Sequence, residues 1–330
     1  MSSIKDVAKK ANVSISTVSI ILNGKSEQRK ISSSTVDRVK KAMVELNYQP
    51  NVSAKKLRSN SDNKTIALYW TNDFRGIMLS QFINGLQMAI SENNLNYDII
   101  IYPYQINHLK DEPSIKNMNY SAAIIANCAS DDLKYLNSIS PLVPICLYNR
   151  QLANYHSVYV DDKDIALLAF EQLKDNKNVA LVKAPAVFEG MKTRNSYLKQ
   201  LLQENSINTQ EYQLDDNSAS DALKTASMID YHTIDSIYCD SDIIALGIMH
   251  YCYENHIQIP QDIKIIAIGN ALNTISEYLN PSLTIIKIPL EQMAKACISS
   301  ISSLINNNKI DDIKIKPETI IRRSNHNGRK

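Results

Sequence analysis

A run of hydroxyl, amide and basic side chains lies near the N-terminus, between Ser14 and Lys25. Hydroxyl and amide groups can hydrogen-bond to base edges, lysine pairs with phosphate, and isoleucine can pack on the methyl group of thymine. If the run forms a helix, its outer face could read bases in the major groove of DNA. The predicted base-facing residues are Ile15, Ser16, Ser19, Ile20 and Asn23, and the predicted phosphate contacts are Ser14, Thr17 and Lys25.

Three short helices are predicted to hold this run in place. Apolar residues recur at helical spacing over Ile4–Ala11, and Asn12 can take the left-handed conformation that ends a helix. A second helix is expected over about Ile15–Leu22. Two helices joined by a short turn, with outward-facing polar residues on the second, are typical of a helix-turn-helix. A third helix follows a serine-rich start, with an apolar stripe at Val36, Val39, Met43 and Leu46.

Charge is divided unevenly along the chain. Residues 1–60 contain 12 Lys and Arg against 4 Asp and Glu, whereas the remaining residues contain 24 against 30. A basic segment attached to a mildly acidic body is typical of a protein that binds a polyanion. A solvated basic surface would have the same composition, but the helix pattern of the basic segment favours DNA.

From Lys64 onward, short apolar runs alternate with amphipathic segments, which predicts parallel sheets covered by helices. Two such sheets would form two lobes with a cleft at the carboxyl ends of their strands. The predicted strands are Ile66–Trp70, Tyr97–Tyr102, Ala122–Ala126, Pro144–Tyr148, Val179–Lys183, Ser236–Cys239 and Lys264–Ile268. The predicted helices are Ile77–Glu92, Ile165–Leu173, Lys192–Glu204, Ile243–Asn255 and Leu290–Ile305.

Signatures of catalysis, cofactors and metals are missing from the sequence. There is no nucleophile elbow, phosphate-binding loop or dinucleotide fingerprint, so we expect neither an enzyme nor a cofactor. The closest metal-like spacing, at His250, Cys252 and His256, falls within one predicted helix, and we expect no metal site. The lack of a signal peptide or apolar span favours a cytoplasmic protein without a membrane partner over a periplasmic solute-binding protein.

Several motifs together form a recognisable signature. The first runs from Ile4-Lys5-Asp6-Val7-Ala8 through Ala11-Asn12-Val13-Ser14 and Thr17-Val18-Ser19 to Leu22-Asn23. The others are Leu46-Asn47-Tyr48-Gln49-Pro50-Asn51, Val160-Asp161-Asp162, Asp242-Ile243-Ile244-Ala245-Leu246-Gly247, Pro281-Ser282-Leu283-Thr284 and Ile321-Arg322-Arg323-Ser324. They resemble the motifs of the LacI/GalR (lactose-repressor/galactose-repressor) family of transcriptional regulators, over nearly the whole chain. The resemblance implies an all-α helix-turn-helix headpiece and an α/β two-lobed core like that of periplasmic binding proteins.

The resemblance also implies a domain organisation. Residues 1–50 would form the DNA-binding domain, 51–63 a hinge helix and linker, and 64–330 the core for effector binding and dimerisation. One lobe would comprise about 64–160 with 289–308, and the other about 161–288 with 309–324.

The partners implied by the resemblance are double-stranded DNA with a pseudo-palindromic operator, a second copy of the chain, and a small-molecule effector. Few residues follow Ser324, too few for a leucine-heptad tail, so we expect a homodimer. A sugar that releases the repressor is the commonest effector in the family. A purine-like or phosphorylated corepressor remains the alternative.

In the family, a hinge helix orders on specific DNA and inserts a leucine into the minor groove. Ala54 and Leu57 occupy that segment here. Base reading falls mainly to the positions of Ile15, Ser16 and Ile20. The family often has arginine or another polar residue in place of Ile20, and the segment 24–30 is longer than usual, so the operator should differ from the usual one.

The resemblance implies five ligand-facing residues, four of them near strand ends and one in a helix. These are Asn149, Arg194, Ser241, Asp242 and Asn270. Trp70 ends the first core strand, and Thr71, Asn72 and Phe74 follow it, at the expected mouth of the cleft. Asp161 and Asp162 are expected to organise the region between the lobes rather than to bind ligand.

Replacing Leu57 by alanine should weaken binding to a specific operator far more than binding to random duplex, because an apolar wedge is used only where the DNA is kinked. Titrations of both duplexes at one salt concentration measure the difference. Equal losses on the two duplexes would show that Leu57 contributes only to packing.

Overall fold

The computed structural model describes residues 4–22, 26, 29–46, 63–73, 75–269, 271–272 and 274–326. It divides into two compact units, Met1–Asp62 and Asn63–Lys330. The N-terminal unit contains helices α1 (Ile4–Ala11), α2 (Ile15–Leu22) and α3 (Ser33–Glu45).

A small apolar core joins the three helices of the N-terminal unit. Val7, Val18 and Val39, one from each helix, are fully buried. Asn12 has a φ of 53°, in the left-handed region, and ends α1 as the sequence predicts. The Ser14 hydroxyl accepts a hydrogen bond from the backbone N–H of Thr17 at 3.1 Å and so begins α2. The predicted sequence of three helices is thus present.

The C-terminal unit is built on two sheets. From edge to edge, the first has the order β11 (Ile313–Lys314), β5 (His156–Tyr159), β4 (Ile145–Tyr148), β3 (Ala122–Ala126), β1 (Lys64–Thr71) and β2 (Tyr97–Tyr104). The second has the order β12 (Glu318–Ile320), β10 (Thr284–Lys287), β9 (Lys264–Gly269), β8 (Ser236–Cys239), β6 (Asn178–Lys183) and β7 (Asn208–Gln213). Neighbouring strands are parallel except for the pair of β10 and β12.

Helices cover both sheets. They are α4 (Gly76–Glu92), α5 (Pro113–Asn117), α6 (Ser130–Ser138), α7 (Asp162–Leu173), α8 (Glu189–Glu204), α9 (Ala219–Ala226), α10 (Asp242–Glu254) and α11 (Leu290–Ile305). Helices α4 and α11 approach closely at Gly85, where a Cβ atom would lie 2.7 Å from the Cβ of Ala294. Among the described helices, none has the length and apolar character that crossing a lipid bilayer requires.

The central strands agree best with the sequence-based prediction. Every predicted strand is present with its ends shifted by at most two residues, and Ala122–Ala126 and Ser236–Cys239 have the predicted bounds. Both of these strands are buried along their whole length. Strands β5, β7, β10, β11 and β12 were not predicted.

The predicted lobe boundary near the C-terminus is wrong in one respect. We assigned 309–324 to the second lobe, but Ile313 and Lys314 pair in parallel with Val158 and Tyr159 at the edge of the first sheet. The backbone N–H of Ile315 donates to the Tyr159 carbonyl at 2.8 Å. The edge of β5 would otherwise expose its backbone groups, and this short strand satisfies them.

Ser324→Ala should destabilise the C-terminal unit by about 1–3 kcal/mol, because removal of the buried hydroxyl leaves its two hydrogen-bond partners unsatisfied. Ser324 is fully buried; its Oγ donates to the Ile265 carbonyl at 2.6 Å and accepts from the N–H of Thr284 at 2.8 Å. Urea unfolding measures the change. Ser220→Ala, at an exposed position in α9, is the control and should stay within about 0.5 kcal/mol of the parent chain; equal effects of the two changes would contradict this role for Ser324.

Candidate functional site

The predicted DNA-facing residues fall on or beside α2. Ser14, Ile15 and Ser16 are exposed within the N-terminal unit, whereas Thr17, Ser19 and Ile20 are half-buried. Ser14 Oγ also lies within hydrogen-bond distance of Ser16 Oγ and Thr17 Oγ1, so its first role is to begin the helix. Four predicted contacts lie outside the described residues: Asn23, Lys25, Ala54 and Leu57.

A cleft lies between the two sheets of the C-terminal unit. Its empty space, including the part open to solvent, is about 900 Å³. The turns after β3, β4, β6, β8 and β9 line it, because the carboxyl ends of parallel strands meet at one edge of a sheet. From these turns and the adjoining helices come Asn127, Tyr148, Asn149, Arg150, Ala184, Phe188, Arg194, Asn217, Asp240, Ser241, Asp242 and Ala271.

The structure brings four of the predicted ligand residues together in the cleft, namely Asn149, Arg194, Ser241 and Asp242. Phe74 and Asn270 lie outside the described residues. Thr71 and Asn72 do not reach the cleft, which corrects the predicted placement. Strand β1 continues to Thr71, whose buried hydroxyl accepts a hydrogen bond from Arg75, and Asn72 lines a separate depression.

Three of these four predicted residues also accept hydrogen bonds from nearby backbone N–H groups. Asp242 accepts hydrogen bonds from the backbone N–H groups of Ala271 at 3.1 Å and Leu272 at 2.7 Å. Ser241 begins α10 by accepting from the N–H of Ile244. Asn149, with a φ of 55°, accepts from the N–H of Val160. These contacts shape the wall of the cleft and leave fewer of their atoms for a ligand.

Arg194 is placed differently, because part of its guanidinium group has no partner. It is 6% exposed, its Nη1 lies 3.7 Å from Asp162 Oδ1, and its buried Nε makes no hydrogen bond to any described residue. Asp162 therefore lines the cleft, while Asp161 begins α7 and pairs with Lys314, away from it. An unsatisfied buried donor is costly, and a ligand oxygen would relieve that cost.

Asp240 is a second incompletely satisfied group in the wall of the cleft. Its Oδ2 accepts from Asn195 at 2.9 Å and from the N–H of Ala184 at 3.2 Å, but its Oδ1 has no partner. Burial raises the pKa of Asp240, although Arg194 and the hydrogen bonds from Asn195 and Ala184 act in the opposite direction. The free oxygen is suited to accept a hydrogen bond from a ligand hydroxyl.

Most of the residues that line the cleft were not predicted from the sequence, and four of them matter for its charge and its aromatic surface. They are Arg75, Arg150, Phe188 and Asp240. Arg150 and Asp240 directly adjoin predicted residues at the ends of β4 and β8, so the strand-end rule could have found them. Nothing in the local sequence indicates Phe188, which lies just before α8.

Trp70, near the end of β1, is a buried core residue and is 2% exposed. Its ring is stacked on Tyr148, with centroids 5.8 Å apart, and Tyr148 lines the cleft. The indole is thus one residue away from a bound ligand. In the described part of the chain, no group of three or more His, Cys, Asp or Glu side chains could hold a metal ion.

Comparison with known proteins assigns the chain to a family. Residues 3–51 match the family described as bacterial regulatory proteins, lacI family, and residues 173–325 match the periplasmic binding protein-like domain. A solved LacI family transcription regulator from Clostridium acetobutylicum is 35% identical, with a TM-score of 0.73 over 78% of this chain and 99% of that one. The chain belongs to the LacI family.

Other LacI-family relatives match over nearly the full length. The probable HTH-type transcriptional repressor ExuR of Bacillus subtilis is 28% identical over 97% of this chain and 96% of its own. The lac repressor dimer bound to operator is 20% identical, with a TM-score of 0.73 over 98% and 99% of the two chains. Family membership confirms the predicted resemblance, the fold class and the expectation of a DNA-binding transcriptional regulator rather than an enzyme.

Asp240→Asn should raise the thermal unfolding midpoint of the ligand-free chain at pH 7, by roughly 2 °C. Folding raises the pKa of this carboxyl, so its ionised form destabilises the folded state at a pH above the folded-state pKa. This destabilisation vanishes as the pH falls below the pKa in the unfolded chain, about 3.9, because the group is then protonated in both states. The gain from asparagine should therefore shrink between pH 7 and pH 4.

Asp161→Asn is the matched control for the Asp240 change. A hydrogen bond from Lys314 lowers the pKa of Asp161, so its ionised form stabilises the fold at neutral pH, and the asparagine variant should unfold at a lower temperature than the parent at pH 7. Scanning calorimetry at both pH values compares the variants. A lower midpoint for Asp240→Asn at pH 7 would contradict the assigned cost of this buried charge.

Proposed function

We propose that this LacI-family regulator is a repressor that responds to a small carbohydrate bound in the cleft between its two lobes. The observation that carries the proposal is that two residues lining this cleft each have a buried polar atom without a hydrogen-bond partner among the described residues, Arg194 Nε and Asp240 Oδ1. Sugar hydroxyls both donate and accept hydrogen bonds, so one ligand could satisfy a guanidinium and a carboxylate together.

The aromatic surface of the cleft favours a sugar over a purine. A planar base gains most by lying on an open aromatic face. The ring of Phe188 is instead covered by two guanidinium groups, with the Cζ atoms of Arg75 and Arg150 at 3.9 and 4.5 Å from its centroid. Tyr148 is stacked on Trp70, and the ring of Phe82 packs against it at a tilt of 57°. The alternative of a purine-like corepressor is therefore less well supported than a carbohydrate.

Both lobes contribute to the cleft, which supplies a means of regulation. Asn149 and Arg150 come from the first sheet, and Arg194 and Asp240 belong to the second. A ligand that contacts both lobes stabilises the lobe arrangement in which those contacts are best, and so shifts the population of the core. We propose that this shift changes the affinity of the regulator for its operator.

We also propose that the regulator acts in the cytoplasm, where its DNA target lies, as a homodimer on a pseudo-palindromic operator. The lac repressor neighbour is a dimer bound to operator, and twofold symmetry in the protein matches two half-sites in DNA. In this proposal Ile15, Ser16, Ser19 and Ile20 contact bases, since α2 carries them on or near its outer face.

Arg194→Ala and Arg194→Lys should both raise the sugar concentration needed for release of operator DNA by about tenfold or more, because neither side chain reproduces the planar donor fork of arginine. Operator release is measured by fluorescence anisotropy across a panel of neutral sugars, sugar acids, sugar phosphates and nucleobases. Lys192→Ala, at an exposed position of the same helix, should respond as the parent does. Unchanged responses of both Arg194 variants would show that the effector binds elsewhere.

A further inference from the structure

Two guanidinium groups from the first lobe meet at one ring from the second lobe. The Cζ atom of Arg75 lies 3.9 Å, and that of Arg150 4.5 Å, from the centroid of Phe188. All three side chains line the cleft between the lobes. Like charges this close destabilise one another unless anions balance them, so the partners of each arginine decide what the site can bind.

The charge of Arg75 is compensated by residues of the turn that follows β1. Its guanidinium forms an ion pair with Asp73 and donates from Nε to Asp73 Oδ1 at 2.8 Å. The same group donates to the Thr71 hydroxyl at 2.6 Å. The side chain is 5% exposed, so the charge pair is well enclosed. Arg75 is therefore a fixed, compensated cation beside the cleft.

Arg150 differs, because its partners are neutral. Its Nε donates to the carbonyl of Cys128 at 2.6 Å, and its Nη1 donates to the carbonyl of Asn149. Among the described residues, no carboxylate forms an ion pair with it. The nearby Asp162 is instead paired with Arg194, at 3.7 Å. Backbone carbonyls satisfy hydrogen bonds but do not neutralise a charge. Asp162 offsets part of the charge of Arg150 through space, but the ion pair of Asp162 is with Arg194.

The effect on titration agrees with this geometry. Burial lowers the pKa of Arg150 and the neighbouring charge of Arg75 lowers it further, whereas Asp162 acts in the opposite direction without reversing the shift. The guanidinium stays protonated at neutral pH, because an ordinary arginine titrates far above that range. The direction of the shift shows that its surroundings disfavour the positive charge, which an anion in the cleft would reverse.

We infer that the effector carries one negatively charged group, a carboxylate or a phosphate, which binds Arg150 at the first-lobe end of the cleft. The inference rests on the proposed function and narrows it to acidic sugars. The planar guanidinium has donors left for an anion after its two carbonyl contacts, and charge-assisted bonds are stronger than neutral ones. The hydroxyls of the same ligand reach Arg194 and Asp240 in the second lobe.

The two ends of the cleft thus have different chemistry. The first-lobe end presents Arg150, which forms no ion pair with a described carboxylate, whereas the second-lobe end presents Arg194 with the carboxylates of Asp162 and Asp240. A neutral sugar could satisfy only the second end and would leave the charge of Arg150 unbalanced. A purely anionic ligand without hydroxyls would be repelled by the two carboxylates. An acidic sugar fits both ends.

The test uses the full-length chain and compares neutral sugars with sugars that have the same ring but one added acidic group. The probes are D-glucose, D-glucuronate and D-glucose 6-phosphate, and the corresponding three compounds of D-galactose. Binding is read from thermal stabilisation and from the emission of Trp70, the only tryptophan, which stacks on Tyr148 in the cleft wall. At least one acidic sugar should bind about tenfold or more tightly than its neutral counterpart, with an affinity that falls as salt is raised.

Arg150→Gln removes the charge and should raise the half-maximal concentration of the acidic sugar by about tenfold or more, while Arg150→Lys keeps the charge and should lose less. Arg322→Gln is the matched control. Arg322 is also half-buried and donates to a backbone carbonyl, that of Leu283, and to the Ser276 hydroxyl, but it lies away from the cleft. The Arg322→Gln variant should bind the acidic sugar as tightly as the parent chain does.

The outcomes separate this inference from the proposed function. A neutral sugar that binds the parent chain as tightly as its acidic counterparts would overturn the inference and leave a carbohydrate effector in place. If Arg150→Gln does not fold, the comparison of neutral and acidic sugars on the parent chain, together with the Arg150→Lys variant, still tests the inference. Unchanged affinity in a folded Arg150→Gln variant would also overturn it. If no sugar binds the parent and a nucleobase does, the proposed function itself is wrong, and the inference with it.

Discussion

Parallel pairing of the strands is the constraint on which the rest of the C-terminal unit depends. In each sheet the chain must return to the same end before the next strand begins, so the turns that leave the strands collect at one edge. The ends of β3 and β4 in the first sheet, and of β6, β8 and β9 in the second, therefore face one cleft. Residues as far apart in sequence as Asn127 and Ala271 line it together.

Charge in an enclosed space is the second determinant of the site. A buried ion is costly unless a partner or a hydrogen bond compensates it. The charged residues of the cleft are compensated in different ways. Backbone N–H groups hold Asp242, and Asp73 pairs with Arg75. Arg194 lies near Asp162 and Asp240, while its Nε has no hydrogen bond to a described residue. The residues that are least compensated are the ones whose free energy a ligand would change most. Effector specificity therefore follows from what the fold leaves unsatisfied.

Sequence patterns predicted the interior of the fold better than its edges, for a physical reason. Strands Ala122–Ala126 and Ser236–Cys239 are buried on both faces, and such burial requires the continuous apolar runs from which they were predicted. Strand Asn208–Gln213 lies at the edge of its sheet, is largely exposed, and has a polar sequence. Strand Ile313–Lys314 has only two residues, and its pairing with β5 depends on a contact distant in sequence.

The candidate site shows the same limit at the level of single side chains. The family resemblance predicted Asn149, Ser241 and Asp242 as ligand-facing residues. They do line the cleft, but hydrogen bonds to nearby backbone occupy much of their polar capacity. Position in a motif indicates where a side chain lies but not which of its atoms are free. Arg150 adjoins Asn149 in the sequence, yet its importance depends on its forming no ion pair with any carboxylate in the described part of the chain, which only the folded structure can show. Motifs locate a binding site, and its unbalanced charges determine which ligand it selects.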